Sequence, residues 1–266
     1  MENKLTTRFK LNLASTIVIL IAVLHHVSLI KETRPLVTSL YIALFAATAY
    51  LKVNSVLHLT LLMALWYLIS FLLPDSIPRL GFIYFAILFG LSVIGIRSFK
   101  DVKNPLSWFT KGDLSRVIWL WTVLISLASA AALIIWAFWS NNLGAGEQML
   151  KGLTGIPKPV ILFLGAPIFA LLNAFSEEVI YRGVFQEAAE RARFPALWVL
   201  VLQASGFASI HFSSGFPNGF IGYAMTFVYA IALGMLRLKT RGLLAPYVAH
   251  VCADLVIIYF LCFKFL

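Results

Sequence analysis

Two adjacent carboxylates follow an apolar run, where charge is costly to bury. The run Val160–Phe175 leads into Glu177, Glu178 and, on the same stretch, Arg182. Ionisable groups in or near hydrocarbon are rare, and they are usually paired or functional. Glu178 and Arg182 are spaced i,i+4 and share a helix face, so we predict an ion pair between them. Glu177 lies about 100° round the helix and has no basic residue at i+3 or i+4. It is therefore predicted to be the carboxylate that is free for chemistry.

Two histidines and an aspartate occur later, also in apolar runs. Phe207 and His211 close one run, and His250 and Asp254 lie inside the last one, each pair at i,i+4. The chain turns near Pro195, and the helical legs before and after this turn are equal in length. An antiparallel hairpin would therefore bring His211 level with the glutamates, and His250 would end within roughly two helical turns of the same depth.

These residue types favour one kind of chemistry. A glutamate, two histidines and an aspartate, with no Ser–His or Ser–Lys pair at helical spacing, indicate an activated water rather than a covalent nucleophile. Glu177 would be the general base and His211 would share the water, while His250, with or without Asp254, would stabilise the oxyanion. The connection Ser213–Gly219 is expected to line a water-filled cleft, because irregular backbone is otherwise excluded at membrane depth.

The composition defines the class of protein that must position these groups. The chain has 266 residues, of which 61% are hydrophobic and 12% charged, and this indicates a polytopic membrane protein. Its net charge of +10 resides in short loops between apolar runs, a pattern of membrane topology that argues against a nucleic-acid partner. Cys252 and Cys262 would lie about 15 Å apart on one helix, too far for a disulfide.

The apolar runs predict an all-α, polytopic transmembrane helix bundle of about eight or nine membrane helices with an intramembrane active-site cavity. The predicted spans are Leu11–Ile30, Leu36–Leu51, Ser55–Leu73, Leu80–Ile96, Val117–Trp139, Val160–Tyr181, Ala196–His211, Phe220–Leu238 and Leu243–Phe263. The first span reads as an uncleaved helix rather than a signal peptide. Loop charge predicts a cytoplasmic N-terminus and an external C-terminus. Residues 1–116 are predicted to be accessory helices, and residues 117–266 the catalytic core.

Three short motifs stand in a fixed order: Glu177-Glu178-x-x-x-Arg182, Phe207-x-x-x-His211 and His250-x-x-x-Asp254. This series resembles the motifs of the CPBP intramembrane proteases, a family that includes type II CAAX prenyl endopeptidases and bacteriocin-immunity proteins. The resemblance covers about Val160–Phe263. It implies a membrane-anchored protein or peptide as substrate, the lipid bilayer as setting, a bacterial inner or plasma membrane as location, and neither a cofactor nor a metal.

The resemblance also implies a role for each residue of the motifs. Glu177 would be the water-activating base and His211 would position the water, with His250 and Asp254 on the oxyanion side. Structural support would come from Glu178, Arg182 and Phe207. Members that process prenylated proteins carry asparagine where this chain has Asp254. An ionised aspartate repels an oxyanion, so Asp254 would be protonated or would orient and charge His250, and the difference argues against a prenylated substrate.

Three other functions fit parts of the pattern. A zinc protease could use His211, His250 and a carboxylate, although no HExxH helix is present. A non-catalytic scaffold or immunity protein could keep the same fold. A transporter with a proton-coupled glutamate is disfavoured, because no second half mirrors the first. The substrate, the cleavage site and the oligomeric state stay open at this stage.

Overall fold

A computed structural model describes residues 4–27, 31–72, 81–99, 102, 104–140, 155–213 and 216–265, and these ranges contain helices and no strand. The helices are α1 Lys4–Val27, α2 Arg34–Tyr50, α3 Leu57–Leu72, α4 Gly81–Arg97, α5 Arg116–Trp139, α6 Lys158–Arg191, α7 Ala196–Ser213, α8 Gly219–Thr240 and α9 Leu244–Phe265. A short 3₁₀ turn, Lys31–Thr33, precedes α2.

Hydropathy explains why these segments are helical. Within the described ranges, α1, α5, α6, α8 and α9 are long and apolar enough to cross a membrane, and shorter apolar helices accompany them. Every backbone polar group is satisfied inside a helix, which hydrocarbon requires. Large apolar side chains such as Leu127 and Phe138 on α5 stay exposed, as expected of a helix whose solvent is lipid. The prediction of an all-α, multi-pass integral membrane protein is confirmed.

Helix α6 departs from ideal geometry at two places that the sequence did not reveal. It adopts π-helical turns at Ile161–Gly165 and again at Val179–Phe185. The second π turn begins immediately after Glu178 and includes Arg182. Single π turns inside α-helices occur frequently at functional sites, where they change which side chains share a face. The helix then continues to Arg191, beyond the end of the predicted span Val160–Tyr181.

The described residues form two compact units, and the first contains Met1–Trp108 and Gly183–Gly206. In this unit α3 packs against α2 and α4, and α1 packs against α2 and against the end of α6. Trp108 is buried against Gly183, where an added Cβ would lie 2.5 Å from the indole ring. Only glycine allows this close approach of the helix to the ring.

The second unit contains Phe109–Arg182 and Phe207–Leu266. Here α9 packs against α5 and against the first part of α6, and α8 packs against both α5 and α9. The α8–α9 turn is hydrogen-bonded to the segment before α5: the Leu243 amide donates to the Thr110 carbonyl at 2.8 Å. All the motif residues of the sequence analysis belong to this unit.

Some predictions concern features that the helices alone do not test. The division into accessory residues 1–116 and a core at 117–266, the membrane orientation and the uncleaved first helix all stay predictions. The prediction for the cysteines is confirmed, since Cys252 and Cys262 are both free thiols. Residues 28–30, Leu73 and Leu80, at the ends of predicted spans, lie outside the described residues.

Candidate active site

The predicted ion pair between Glu178 and Arg182 is present and buried. Nη1 of Arg182 lies 3.0 Å from Oε1 of Glu178, and their side chains are 0% and 1% exposed. The guanidinium also covers the ring of Phe207, with its Cζ atom 4.7 Å from the ring centroid, a cation–π contact. Because neither charge reaches solvent, removing one partner would leave the other buried and uncompensated.

His250 lies between the two glutamates. Its Nδ1 is 2.8 Å from Oε1 of Glu178, and its Nε2 is 3.3 Å from Oε2 of Glu177. Carboxylate oxygens accept hydrogen bonds, so this arrangement suits an imidazole ring that carries a proton on each nitrogen. Glu177 has no basic residue at i+3 or i+4 on α6, but it does contact a base from another helix. The partner comes from α9, which residue spacing along α6 could not show.

The two glutamates differ in their access to open space. The side chain of Glu177 is 23% exposed, whereas that of Glu178 is 1% exposed. Glu177 is also one of the residues that line a large cavity in this unit, and Glu178 is not. Adjacent positions on one helix thus provide one carboxylate at the cavity and one buried behind it.

The cavity has a volume of about 820 Å³ and is enclosed by α5, α6, α7, α8 and α9 together with Phe216 and Pro217. Its wall is mostly apolar, with polar groups from Glu177, His211 and His250 on three different helices. The expectation that the hairpin brings His211 to the depth of the glutamates is confirmed by this shared cavity. The predicted lining by the α7–α8 connection is also confirmed at Phe216 and Pro217, while residues 214 and 215 lie outside the described residues.

His211 is oriented by the connection that follows α7. Its Nδ1 lies 3.1 Å from the carbonyl oxygen of Pro217, which can only accept, so Nδ1–H is the donor. In the neutral ring, Nε2 is then left as a hydrogen-bond acceptor. Gly222 on α8 lets Pro217 approach, because a Cβ at this glycine would lie 2.6 Å from the Pro217 carbonyl oxygen.

Asp254 has an amide partner that the sequence analysis missed. Its Oδ2 accepts a hydrogen bond of 3.0 Å from Nδ2 of Asn173, and its Oδ1 lies 3.8 Å from Nε2 of His250. The second distance is an ion-pair contact rather than a hydrogen bond. Asn173 lies four residues before Glu177 on α6 and therefore shares its helix face. This spacing could have identified Asn173 as a residue of the site.

Aromatic rings pack against both histidines of the site. The Phe207 ring lies 5.5 Å from that of His211 and 5.7 Å from that of His250, centroid to centroid. Tyr229 on α8 meets His250 edge to face at 5.9 Å. The Tyr229 hydroxyl is buried, and no hydrogen-bond partner is found for it among the described residues. No pattern in the sequence distinguished this tyrosine from the others of α8.

The ligand set proposed for a zinc site is not assembled. In the part of the chain that the structure describes, no group of three or more His, Cys, Asp or Glu side chains is arranged to hold a metal ion. His250 instead has both ring nitrogens directed at carboxylates.

Comparison with known proteins agrees with this architecture. Residues 159–256 match the model of the family "Type II CAAX prenyl endopeptidase Rce1-like". The chain is 27% identical to "Uncharacterized protein YpbD" of Bacillus subtilis (strain 168) over 173 residues, which cover 64% of this chain and 82% of the relative. No solved structure matches the chain. The family match confirms the recognition made from the three motifs, and at the family level it supports a membrane protease with a peptide or protein substrate.

Proposed function

We propose that this protein is an intramembrane endopeptidase that hydrolyses a peptide bond of a membrane-anchored protein or peptide through a water activated by Glu177. The observation that carries the proposal is the shared cavity, in which a partly exposed carboxylate and two histidines from three helices line one mostly apolar space. Acid–base groups of this kind, gathered in a cavity at membrane depth, are the pattern of a catalytic site.

Glu177 has the properties of a general base. The Nε2 of His250 lies 3.3 Å from its carboxylate, and Glu177 itself reaches the cavity where a water can lie. Proton transfer from water to a positioned carboxylate generates the nucleophile without a covalent intermediate. Glu178 cannot take this role, because it is buried between Arg182 and His250.

His211 complements the base from α7. Its Nδ1–H is held by the Pro217 carbonyl, so its Nε2 is available to accept a hydrogen bond from the same water. A water that donates to both Glu177 and His211 has a fixed orientation and can direct a lone pair at a peptide carbonyl. Orientation of this kind lowers the barrier by removing the entropy cost of ordering the nucleophile.

His250 provides the donor for the developing oxyanion. Its contact with Glu177 is long at 3.3 Å, whereas its contact with Glu178 is short at 2.8 Å. When Glu177 takes the proton from water it becomes neutral and holds the Nε2–H less strongly. That N–H is then available to donate to the oxyanion, while Glu178 keeps the ring in place. Asp254 orients and charges the same ring, held in turn by Asn173.

The dimensions and lining of the cavity suit a peptide segment close to its membrane anchor. A volume of about 820 Å³ accommodates several residues of an extended chain, and the apolar wall suits the side chains of a segment that leaves the bilayer. We place the enzyme in a bacterial inner or plasma membrane with its N-terminus in the cytoplasm. Residues 117–266 form its catalytic core and residues 1–116 are accessory.

Peptidomics in cells tests the proposal. Membrane fractions with the wild-type protein and with Glu177→Gln are compared, and at least one membrane-anchored protein should lose its cleaved form in the variant. The exposed Glu32 provides the matched control, since Glu32→Gln makes the same chemical change outside the cavity and should behave like wild type. If every fragment persists in Glu177→Gln, the protein is not a glutamate-dependent peptidase, and a non-catalytic scaffold or immunity function takes its place.

A further inference from the structure

The first compact unit contains a second cavity, of about 530 Å³, and its lining is strongly basic. The basic side chains that line it are Arg8, Lys10, Lys52, Arg191 and Arg193. No acidic side chain is among its lining residues in the described part of the chain. The remaining lining residues are polar or small apolar ones: Thr7, Leu11, Val53, Asn54 and Ser55.

This cavity is built from the ends of membrane helices. It is lined by the first turns of α1, by the turn between α2 and α3, and by the end of α6 with the turn that follows it. Helices that cross a bilayer place such ends at the membrane–water boundary. The neighbouring side chains Phe9 and Tyr50 are 58% and 86% exposed, and aromatic residues concentrate at this boundary. The cavity therefore lies at the depth of lipid headgroups.

Two of these cations lie in the turns that end α2 and α6. Lys52 and Arg193 both adopt left-handed conformations, with φ of 53° and 61°. This conformation is uncommon for long side chains, and glycine or asparagine adopts it at lower cost. Strained positions persist where the surroundings or a function require them. Both of these cations line the one cavity and add to its positive charge.

We propose that this cavity binds the phosphate headgroup of an anionic phospholipid. Basic pockets between membrane helices recognise anionic headgroups, and arginine provides several donors in a geometry that matches phosphate. Arg191 is held at the wall of the cavity by Glu187, whose Oε1 lies 2.8 Å from its Nε, and by Ser107, whose hydroxyl accepts from its Nη2 at 2.8 Å. A bound headgroup would contact α1, the α2–α3 turn and the end of α6 together, and so would hold these three elements against one another.

The test uses a variant that removes charge without straining the fold. In Arg8→Gln/Lys52→Asn/Arg193→Asn, asparagine occupies the two left-handed positions, which it tolerates well, and the exposed Arg8 on α1 becomes neutral. The full-length protein is purified in neutral detergent, and its affinity for phosphatidylglycerol and for phosphatidylcholine is measured by native mass spectrometry. Each cation near an anionic headgroup contributes about fivefold in affinity, so the triple variant should bind phosphatidylglycerol roughly 100-fold more weakly.

Two controls make the outcomes decisive. Arg34→Gln removes a cation from the opposite end of α2 and should leave binding unchanged. Inorganic phosphate, added at millimolar concentration, should not displace phosphatidylglycerol, because the lipid also contacts apolar surface. The proposal is overturned if the triple variant binds phosphatidylglycerol like wild type, or if wild type does not prefer it to phosphatidylcholine. Displacement by inorganic phosphate would instead assign the cavity to a soluble phosphate compound and overturn the lipid as its ligand.

Discussion

Replacing each of the two adjacent glutamates with glutamine should affect different properties of the protein. Glu178→Gln removes the charge that compensates Arg182, whose side chain is 0% exposed. Glu177→Gln changes a group that is 23% exposed and has one long contact, at 3.3 Å, with His250. We therefore expect the first variant to lose stability and the second to lose activity while it keeps its stability.

The expected losses of unfolding free energy follow from how deeply each glutamate side chain is buried. Breaking one partner of a buried ion pair costs about 3–5 kcal/mol of unfolding free energy, and this applies to Glu178→Gln. A partly exposed pair is worth about 1 kcal/mol or less, which sets the loss for Glu177→Gln. Removing a general base lowers the rate by about 100- to 10,000-fold, so Glu177→Gln should cleave at 1% of the wild-type rate or below.

The assay measures both properties of each purified variant in the same micelles. Denaturant unfolding reports stability, and cleavage of a membrane-anchored reporter peptide reports activity. The double variant Glu178→Gln/Arg182→Met is the internal control, because it removes both charges of the buried pair and should recover part of the lost stability. Equal destabilisation by Glu177→Gln and Glu178→Gln, or wild-type cleavage by Glu177→Gln, would refute the assignment of separate roles.

Three further predictions concern the groups around this base. Asp254→Asn should lower the cleavage rate about tenfold with unchanged stability, because the amide no longer charges His250; steady-state kinetics measures this. Gly222→Ala should lower kcat, because its Cβ would lie 2.6 Å from the Pro217 carbonyl that orients His211. Measuring both kcat and the unfolding midpoint of this variant separates a loss of orientation from a loss of stability. Treatment with a strong chelator, followed by removal of the chelator, should leave the cleavage rate unchanged, because the described residues contain no metal-ligand cluster.

Each of these predictions has an outcome that contradicts it. A faster Asp254→Asn enzyme would show that position 254 contacts the oxyanion directly. Gly90→Ala is the control for Gly222→Ala, because a Cβ at Gly90 meets no atom within 4 Å. If Gly222→Ala and Gly90→Ala change kcat equally, the Pro217 carbonyl does not orient His211 for catalysis. Activity that is lost on chelation and restored by zinc would revive the metalloprotease alternative.

The fold could be predicted from the sequence because hydrocarbon allows few backbone structures. An apolar run long enough to cross the bilayer has to be helical, and charge and proline mark where each run ends. The Glu178–Arg182 pair could also be predicted, because both residues lie on one helix at a spacing that fixes their contact. The π turn at Val179–Phe185 could not, since no residue type or spacing in this segment distinguishes it from an ordinary helical turn.

Contacts between helices were the part of the site that the sequence did not reveal. The matching lengths of the two helical legs, from Glu178 to the turn near Pro195 and from that turn to His211, predicted the depth of His211, but depth does not determine which atoms meet. His250 approaches both glutamates because of the rotation of α9 about its own axis, and this rotation is set by packing against α5 and α6. Tyr229 was missed for the same reason, since α8 carries several aromatic residues and only packing selects the one at His250.

The charges at the site explain how an aspartate at position 254 fits the proposed mechanism. Glu177, Glu178 and Asp254 surround His250, and Arg182 compensates Glu178 from the other side. With His250 protonated, three carboxylates face two cations, so the resting site has no excess of positive charge to offer an oxyanion. In the proposed mechanism, the transfer of a proton from water to Glu177 removes one negative charge at the moment when the oxyanion forms. An aspartate is then compatible with catalysis, because the oxyanion is stabilised by the N–H of His250 that Glu177 releases rather than by the side chain at position 254.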